Sequence, residues 1–422
     1  MSVIHDLIAR NRAGDPVGLP CFCTANEHVL RAVLAFAAES GFPTVIEATC
    51  NQVNQDGGYT GMMPADFVGW LGGMAAEAGV PMAQLILGGD HLGPNPWRSE
   101  PVADAMAKAR EMVKLYVEAG FTKIHLDASM ACGGEANPSF AEIASRAADL
   151  CAVAEAHAPD PAKLVYIIGT EVPIPGGETE EPEALDVTSV SRFQETIATH
   201  RAAWRARGLD AAWGRIVSVV TQPGVDFGHS SVYAFDPDKA RPLSAAILKE
   251  PGLTFEAHST DYQATAALAD LIRMQFFFLK VGPELTFRLR EAVWALAEIE
   301  ALQETASGSD LCAVIDQKMR ANPQHWAGYY HGTDAEKAIL RTYSYSDRIR
   351  YYWADEDVAA ALDRMLRNLS AQPPSETMIS QAFMGLEFGE IPTCPRRLLQ
   401  QHVQRCVARY FDAAGHKQGD QN

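Results

Sequence analysis

The segment Gly88-Gly-Asp90-His91 sets a carboxylate beside an imidazole after two glycines. Side chains of consecutive residues in an extended segment diverge, so one of the pair can ligate a cation while the other handles a proton on a substrate. Three more histidines, His125, His229 and His258, stand in or just past short apolar runs, accompanied by Asp127, Glu171 and Asp261. Imidazoles supplied by separate segments and converging on one point suit a divalent cation with an open coordination position. Zn²⁺ is the first candidate and Mn²⁺, Ni²⁺ or Co²⁺ the alternatives. No two of these histidines form a tight local motif, so their convergence depends on the fold. His125, flanked by apolar residues, reads equally as a packed strand residue. For Glu171 the roles of ligand, base and ion-pair partner all stay open, while Asp90 is expected to move protons.

The elements that must position these residues form a regular series. Apolar, β-branched-rich runs recur at Val17–Thr24, Thr44–Thr49, Ala83–Gly88, Lys123–Ala128, Leu164–Gly169, Arg215–Thr221, Leu253–Ala257 and Phe276–Val281. Amphipathic segments such as Glu27–Ser40 and Ser99–Ala119 separate them, the pattern of parallel strands covered on both faces. Eight such units predict an α/β fold, a (β/α)8 barrel. Gly41, Gly79, Gly120 and Gly208 each fall where a helix should stop before the next strand. In such a barrel the chemistry lies just past the strands, and those positions hold Glu47, Asn51, Asp127, Ser129, Ser259, Asp261 and Lys280, the expected substrate contacts. The acidic, Pro- and Gly-rich stretch Pro175–Pro182 is expected as a mobile loop over the mouth. After Val281 only helical patterns follow, so residues 1–288 are assigned to the barrel and 289–422 to a helical C-terminal extension. Its tail beyond Ala413 is expected to fray.

Composition narrows the function class. The chain of 422 residues carries 35 basic and 53 acidic side chains, a formal charge of −18, which argues against a nucleic-acid partner. No apolar stretch reaches the roughly 18 to 20 residues needed to span a bilayer, and Met1–Asn11 lacks the charged-then-apolar signal pattern. A cytoplasmic protein is expected. Eight cysteines are too few for a disulfide scaffold and read as buried thiols.

These strand-end residues carry a resemblance. Gly88–Asn95 (GGDHLGPN), Glu47–Gln55, Asp56–Met62, Gly169–Pro173 and Glu256–Gln263 resemble the GatZ/KbaZ family, the second subunit of class II D-tagatose-1,6-bisphosphate aldolase, over essentially the whole length. That family is in turn similar to the catalytic class II aldolases, whose zinc is held by three histidines with an aspartate just before the first. The resemblance implies His91, His229 and His258 as metal ligands and Asp90 as the proton-handling carboxylate. Ile124–Ser129 resembles the aldolases' strand-four segment.

The sequence departs from those aldolases at the phosphate site. Their glycine-rich loop after the third histidine is replaced by His258-Ser-Thr-Asp261, and their strand-eight end by Lys280-Val-Gly-Pro-Glu284. Two functions are therefore expected in order. The first is a supporting partner of a class II aldolase catalytic subunit in tagatose, galactitol or amino-sugar catabolism, as a homo- or hetero-oligomer. The second is a metal-dependent C4-epimerase of a ketohexose or hexuronate, working on a ketose sugar or sugar phosphate by retro-aldol and aldol steps. A kinase has no support, since neither a phosphate-binding Gly-x-x-x-x-Gly-Lys-Ser/Thr loop nor a protein-kinase signature occurs.

Overall fold

The computed structural model describes residues 3–173, 185–303, 307–384, 386 and 391–416. Eight parallel strands close into a barrel: Leu19–Cys23, Thr44–Thr49, Leu85–Leu92, Lys123–Leu126, Val165–Gly169, Ile216–Val220, Thr254–Ala257 and Phe276–Val281. Each pairs with its sequence neighbour, and the first pairs with the eighth. All eight expected strands are present. The third differs most: it starts two residues later than expected and runs on through Asp90 and His91. All four expected helix-stopping glycines have positive φ, between 68° and 98°, the conformation in which glycine avoids a Cβ penalty.

The strand period of two sorts side chains into an outside and an inside. Outward residues such as Phe22, Ile46, Ile124 and Tyr166 pack under the surrounding helices. Inward residues form two layers. The lower is apolar, with Leu19, Cys21, Val45, Ile86 and Val165, and helix Val3–Arg12 caps it with Ile4, Leu7 and Ile8. The upper layer is charged and forms the site.

The helical extension is present as expected. Helix Pro283–Leu302 leaves the last strand and is followed by Leu311–Ala321, Asp334–Tyr343, Glu356–Ala371, Glu376–Ala382 and Pro395–Ala413. The division expected at 288/289 lies inside the first of these helices. The final helix returns to the start of the chain, where Phe411 packs on Phe22 and Phe36 at centroid distances of 5.8 and 4.9 Å. Of the tail expected to fray beyond Ala413, residues 414–416 are described and held in place, and the rest lies outside the described residues. Gly18 donates its N–H to Ala414 O at 3.1 Å, and His416 Nε2 lies 2.8 Å from Gly18 O. The Pro175–Pro182 loop lies outside the described residues.

Candidate functional site

The third, fourth and seventh strands bring three imidazoles together. His91, His125 and His258 form a triangle with ring centroids 5.0, 4.9 and 5.3 Å apart. His125 shares the inward face of its strand with Asp127, and His258 continues the inward row from Glu256, each pair two residues apart. His91 needs more than alternation. The pairing of strands three and four slips between Gly89 and Leu92, and His91 itself has φ +51°, a conformation few non-glycine residues adopt and one that concentrates at functional sites. Gly93 lets the two strands approach, since a Cβ there would lie 1.5 Å from Asp127 O.

Each imidazole is fixed by one carboxylate. His91 Nδ1 lies 2.8 Å from Asp127 Oδ2, His125 Nδ1 is 2.9 Å from Asp90 Oδ1, and His258 Nε2 is 3.1 Å from Glu256 Oε1. For His91 and His258, a ring that donates one N–H to a carboxylate keeps its other nitrogen as a lone pair, the arrangement that orients metal-ligating histidines; His125 Nδ1 also receives the backbone N–H of His91 at 3.2 Å. The remaining nitrogens are His91 Nε2, His125 Nε2 and His258 Nδ1. His125 Nε2 is buried and has no hydrogen-bond partner among the described residues, an arrangement buried polar atoms seldom tolerate. One donor atom from each of Asp90, His91, His125 and His258 lies within 4.8 Å of the others. This donor set fits a divalent cation, which His91, His125 and His258 would hold with the Asp90 carboxylate beside it.

The titration behaviour follows from burial and partners. Burial alone would raise Asp90, but the imidazoles of His91, His125 and His258 pull it well below the ordinary carboxylate range. Against the same burial, His91 brings Asp127 down to about 2, and Lys123 with His258 brings Glu256 to about 2. Burial lowers His258 and so favours the neutral ring that ligates. His91 is raised because Asp90 and Asp127 outweigh its burial.

Beneath the triangle lies an ionic layer. Lys123 Nζ, fully buried, reaches Glu47 Oε1 at 2.6 Å and Glu256 Oε2 at 2.5 Å. Lys280 Nζ lies 2.8 Å from Asp90 Oδ1 and also pairs with Glu47. Glu47 fits because strand three carries glycine opposite it: a Cβ on Gly88 would sit 2.7 Å from Glu47 Oε1. Lys123 and Glu256 were not anticipated as site residues. Their signal was the row of inward-facing polar residues Lys123, His125 and Asp127.

Other expected site residues separate into three groups. Asn51, Ser259, Asp261 and Lys280 line the cavity above the triangle, together with Asp90, His91 and His258; its volume is about 790 Å³, within the range of small-molecule sites. Glu47 is sealed in the ionic layer, and Ser129 supports Asp127 through its N–H and hydroxyl at 3.1 and 2.6 Å. Glu171 instead pairs with Arg192 of helix Val190–Ala206 at 2.8 Å.

His229, expected from the resemblance as a ligand, lines the same cavity but stands apart from the imidazole triangle. It sits at the tip of the hairpin that pairs Asp226–Phe227 with Val232–Tyr233. Its Nδ1 is 3.0 Å from Ser344 Oγ and its Nε2 3.1 Å from Tyr329 O, while its ring meets Tyr330 edge-on. Both nitrogens face the helical extension, and it is His125 that occupies the third corner of the triangle.

The sequence matches the family described as D-tagatose-1,6-bisphosphate aldolase subunit GatZ/KbaZ-like over residues 4–415. The chain belongs to the GatZ/KbaZ-like family. A relative from Agrobacterium fabrum, named D-tagatose 6-phosphate 4-epimerase, is 46% identical over 98% of this chain and 99% of its own. A crystal structure from Sinorhizobium meliloti 1021, described as "a probable tagatose 6 phosphate kinase", superposes with a TM-score of 0.87 at 44% identity, covering 94% of this chain and 100% of that one. The barrel and helical extension are thus shared with that Sinorhizobium structure. No described helix is long and apolar enough to cross a membrane.

Proposed function

We propose that this GatZ/KbaZ-like protein is a divalent-cation-dependent 4-epimerase of a ketohexose 6-phosphate, interconverting C4 epimers by retro-aldol cleavage and re-addition. The observation that carries the reading is the imidazole triangle with Asp90 beside it on a cavity wall. The name of the Agrobacterium relative supports the substrate class. A bound divalent cation supplies Lewis-acid polarisation of a carbonyl, and Zn²⁺ is the first candidate, ahead of Mn²⁺, Ni²⁺ and Co²⁺.

The chain's own residues do the rest. His91, His125 and His258 would hold the cation. Asp90, kept ionised by its imidazole neighbours, accepts the C4 hydroxyl proton as the C3–C4 bond breaks. A three-carbon enediolate and glyceraldehyde 3-phosphate result, and the cavity walls retain both. The aldehyde turns to present its other face, C3 re-adds to C4, and Asp90 returns the proton to O4, so nothing is gained or lost overall. Lys280 holds Asp90 in place, and Asn51, Ser259 and Asp261 face the substrate. The same reading places the protein in the cytoplasm, as a homo- or hetero-oligomer, with residues 1–288 as barrel and 289–422 as extension.

A second reading follows from the family's description as an aldolase subunit: a partner that supports a class II aldolase catalytic subunit. The test is conversion of tagatose 6-phosphate to fructose 6-phosphate by the metal-loaded chain alone, followed by NMR. Turnover abolished by Asp90→Asn supports the epimerase. No turnover, together with stimulation of a co-expressed class II aldolase, replaces it with the partner reading.

A further inference from the structure

The loop after strand seven, residues 259–263, follows His258 directly and puts Ser259 and Asp261 into the cavity wall. Ser259 and Tyr262 have left-handed φ of +52° and +64°, a conformation that residues other than glycine keep only where their surroundings over-determine it. One side of the loop is held by strand eight and the helix it feeds. The Thr260 hydroxyl donates to Lys280 O at 2.6 Å, and Asp261 Oδ1 accepts the N–H groups of Gly282 and Glu284, both at 2.9 Å, where helix Pro283–Leu302 begins.

The other side is held from the far end of the chain. Helix Pro395–Ala413 sets Arg409 Nη2 2.6 Å from both carboxylate oxygens of Glu284 and Arg409 Nη1 3.1 Å from Gln263 O. The next residue, Tyr410, brings its hydroxyl to 2.8 Å from Glu284 Oε2 and 3.1 Å from Thr260 O. Glu284 Oε2 in turn accepts the N–H of Tyr262 at 2.8 Å. Arg288 also reaches Glu284, at 3.1 Å, from within its own helix, but it is Arg409 and Tyr410 that bond both Glu284 and carbonyls of the loop. Glu284, Thr260 and Tyr410 are fully buried, so a partner removed there leaves polar groups that water does not readily satisfy.

We propose that Arg409 and Tyr410 are positioning residues of the site: from the last helix they fix the strand-seven loop, and through it the aim of His258 and the cavity-facing atoms of Ser259 and Asp261. This inference rests on the cation site of the reading above. It makes the extension a working part of the site, which it also reaches directly, since Arg348 and Arg350 stand in the cavity wall.

The test compares wild type with Tyr410→Phe, Arg409→Gln, Arg409→Lys and Phe411→Leu. Phe411→Leu is the control, because it loosens the same helix where it packs on Phe22 and Phe36. Zn²⁺ affinity is read by competition with a chromogenic chelator, backbone exchange of the loop by hydrogen–deuterium exchange mass spectrometry, and stability by thermal melts. Tyr410→Phe and Arg409→Gln should speed exchange in residues 258–263 and weaken Zn²⁺ binding roughly 10-fold, with Arg409→Lys between them and wild type. Phe411→Leu should lower the thermal midpoint and leave loop exchange and Zn²⁺ affinity unchanged. If Arg409→Gln does not fold, Tyr410→Phe, which removes a single oxygen, carries the comparison. Unchanged loop exchange or Zn²⁺ affinity in Tyr410→Phe overturns the inference, as does an equal loss of affinity in Phe411→Leu. A wild type that binds Zn²⁺ with the expected variant pattern but epimerises nothing sinks the epimerase reading and keeps this inference. A wild type that epimerises, with variants unchanged in both readouts, does the reverse.

Discussion

His125 Nδ1 and Asp90 Oδ1 lie 2.9 Å apart between adjacent strands, which ties the carboxylate proposed to handle the proton to the orientation of one corner of the triangle. Asp90 thus serves two chemical ends: it fixes His125, and it faces the cavity.

The triangle predicts which histidines matter for metal. His91→Ala, His125→Ala and His258→Ala should each lose the transition metal that wild type retains at about one equivalent, measured by elemental analysis. His229→Ala should keep the metal and instead lose about 1 to 3 kcal/mol of stability, from its two hydrogen bonds to the extension. The opposite pattern would mean that the hairpin carrying His229 refolds toward the metal.

Asp127→Asn tests the carboxylate behind His91. The variant should fold, bind metal roughly 10- to 100-fold more weakly, and recover activity when metal is raised to saturation. Loss that excess metal cannot restore would assign Asp127 to the substrate.

Asp90→Asn should lower kcat by about 10² to 10⁴ in a protein that remains folded. A kcat within a few-fold of wild type at saturating metal would remove Asp90 from the proton transfer.

The ionic layer makes a stability prediction. Lys123→Met leaves Glu47 and Glu256 facing each other without the cation that sits 2.6 and 2.5 Å from them, and unpaired buried charge costs about 3 to 5 kcal/mol. Urea denaturation should show that loss. A midpoint equal to wild type would mean that Lys280 or bound water compensates.

Asp261 predicts a pH dependence. Burial and the neighbouring Glu284 push its carboxyl up to about 7, whereas an unfolded aspartate titrates near 3.9. The folded state therefore holds a proton that the unfolded state has lost, so stability falls as pH rises from about 4 through 7. Asp261→Asn keeps a carbonyl oxygen for the two amides and removes this titration. Its stability relative to wild type should improve between pH 5 and 8, by up to the order of 3 kcal/mol, in thermal melts across that range. A constant difference would refute the shift.

Much of this was legible in the sequence. Near-continuous apolar runs marked every strand, and glycines marked the helix ends, because a barrel covered on both faces imposes both signals. Asp90 and His91 stood out because a polar pair after two glycines serves no packing purpose. His125 was ambiguous by itself. The two-residue spacing of Lys123, His125 and Asp127, repeated in Glu256 and His258, aims them all inward, and reading that spacing across strands would have found the cluster. No local signal could show that Ser344 and Tyr329, about 100 residues downstream, would engage His229. Nor could it show that Arg348 and Arg350 reach the barrel mouth, since that placement depends on packing between distant elements.

The contact of Phe411 with Phe22 and Phe36 also bears on how the protein is made. The core begun by the first strand and the helix after it is finished by a helix near the end of the chain. At ribosomal rates of roughly 5 to 20 residues per second, the first partners wait on the order of 20 to 75 s for the last. During that interval an apolar face of helix Glu27–Ser40 lies open on the nascent chain.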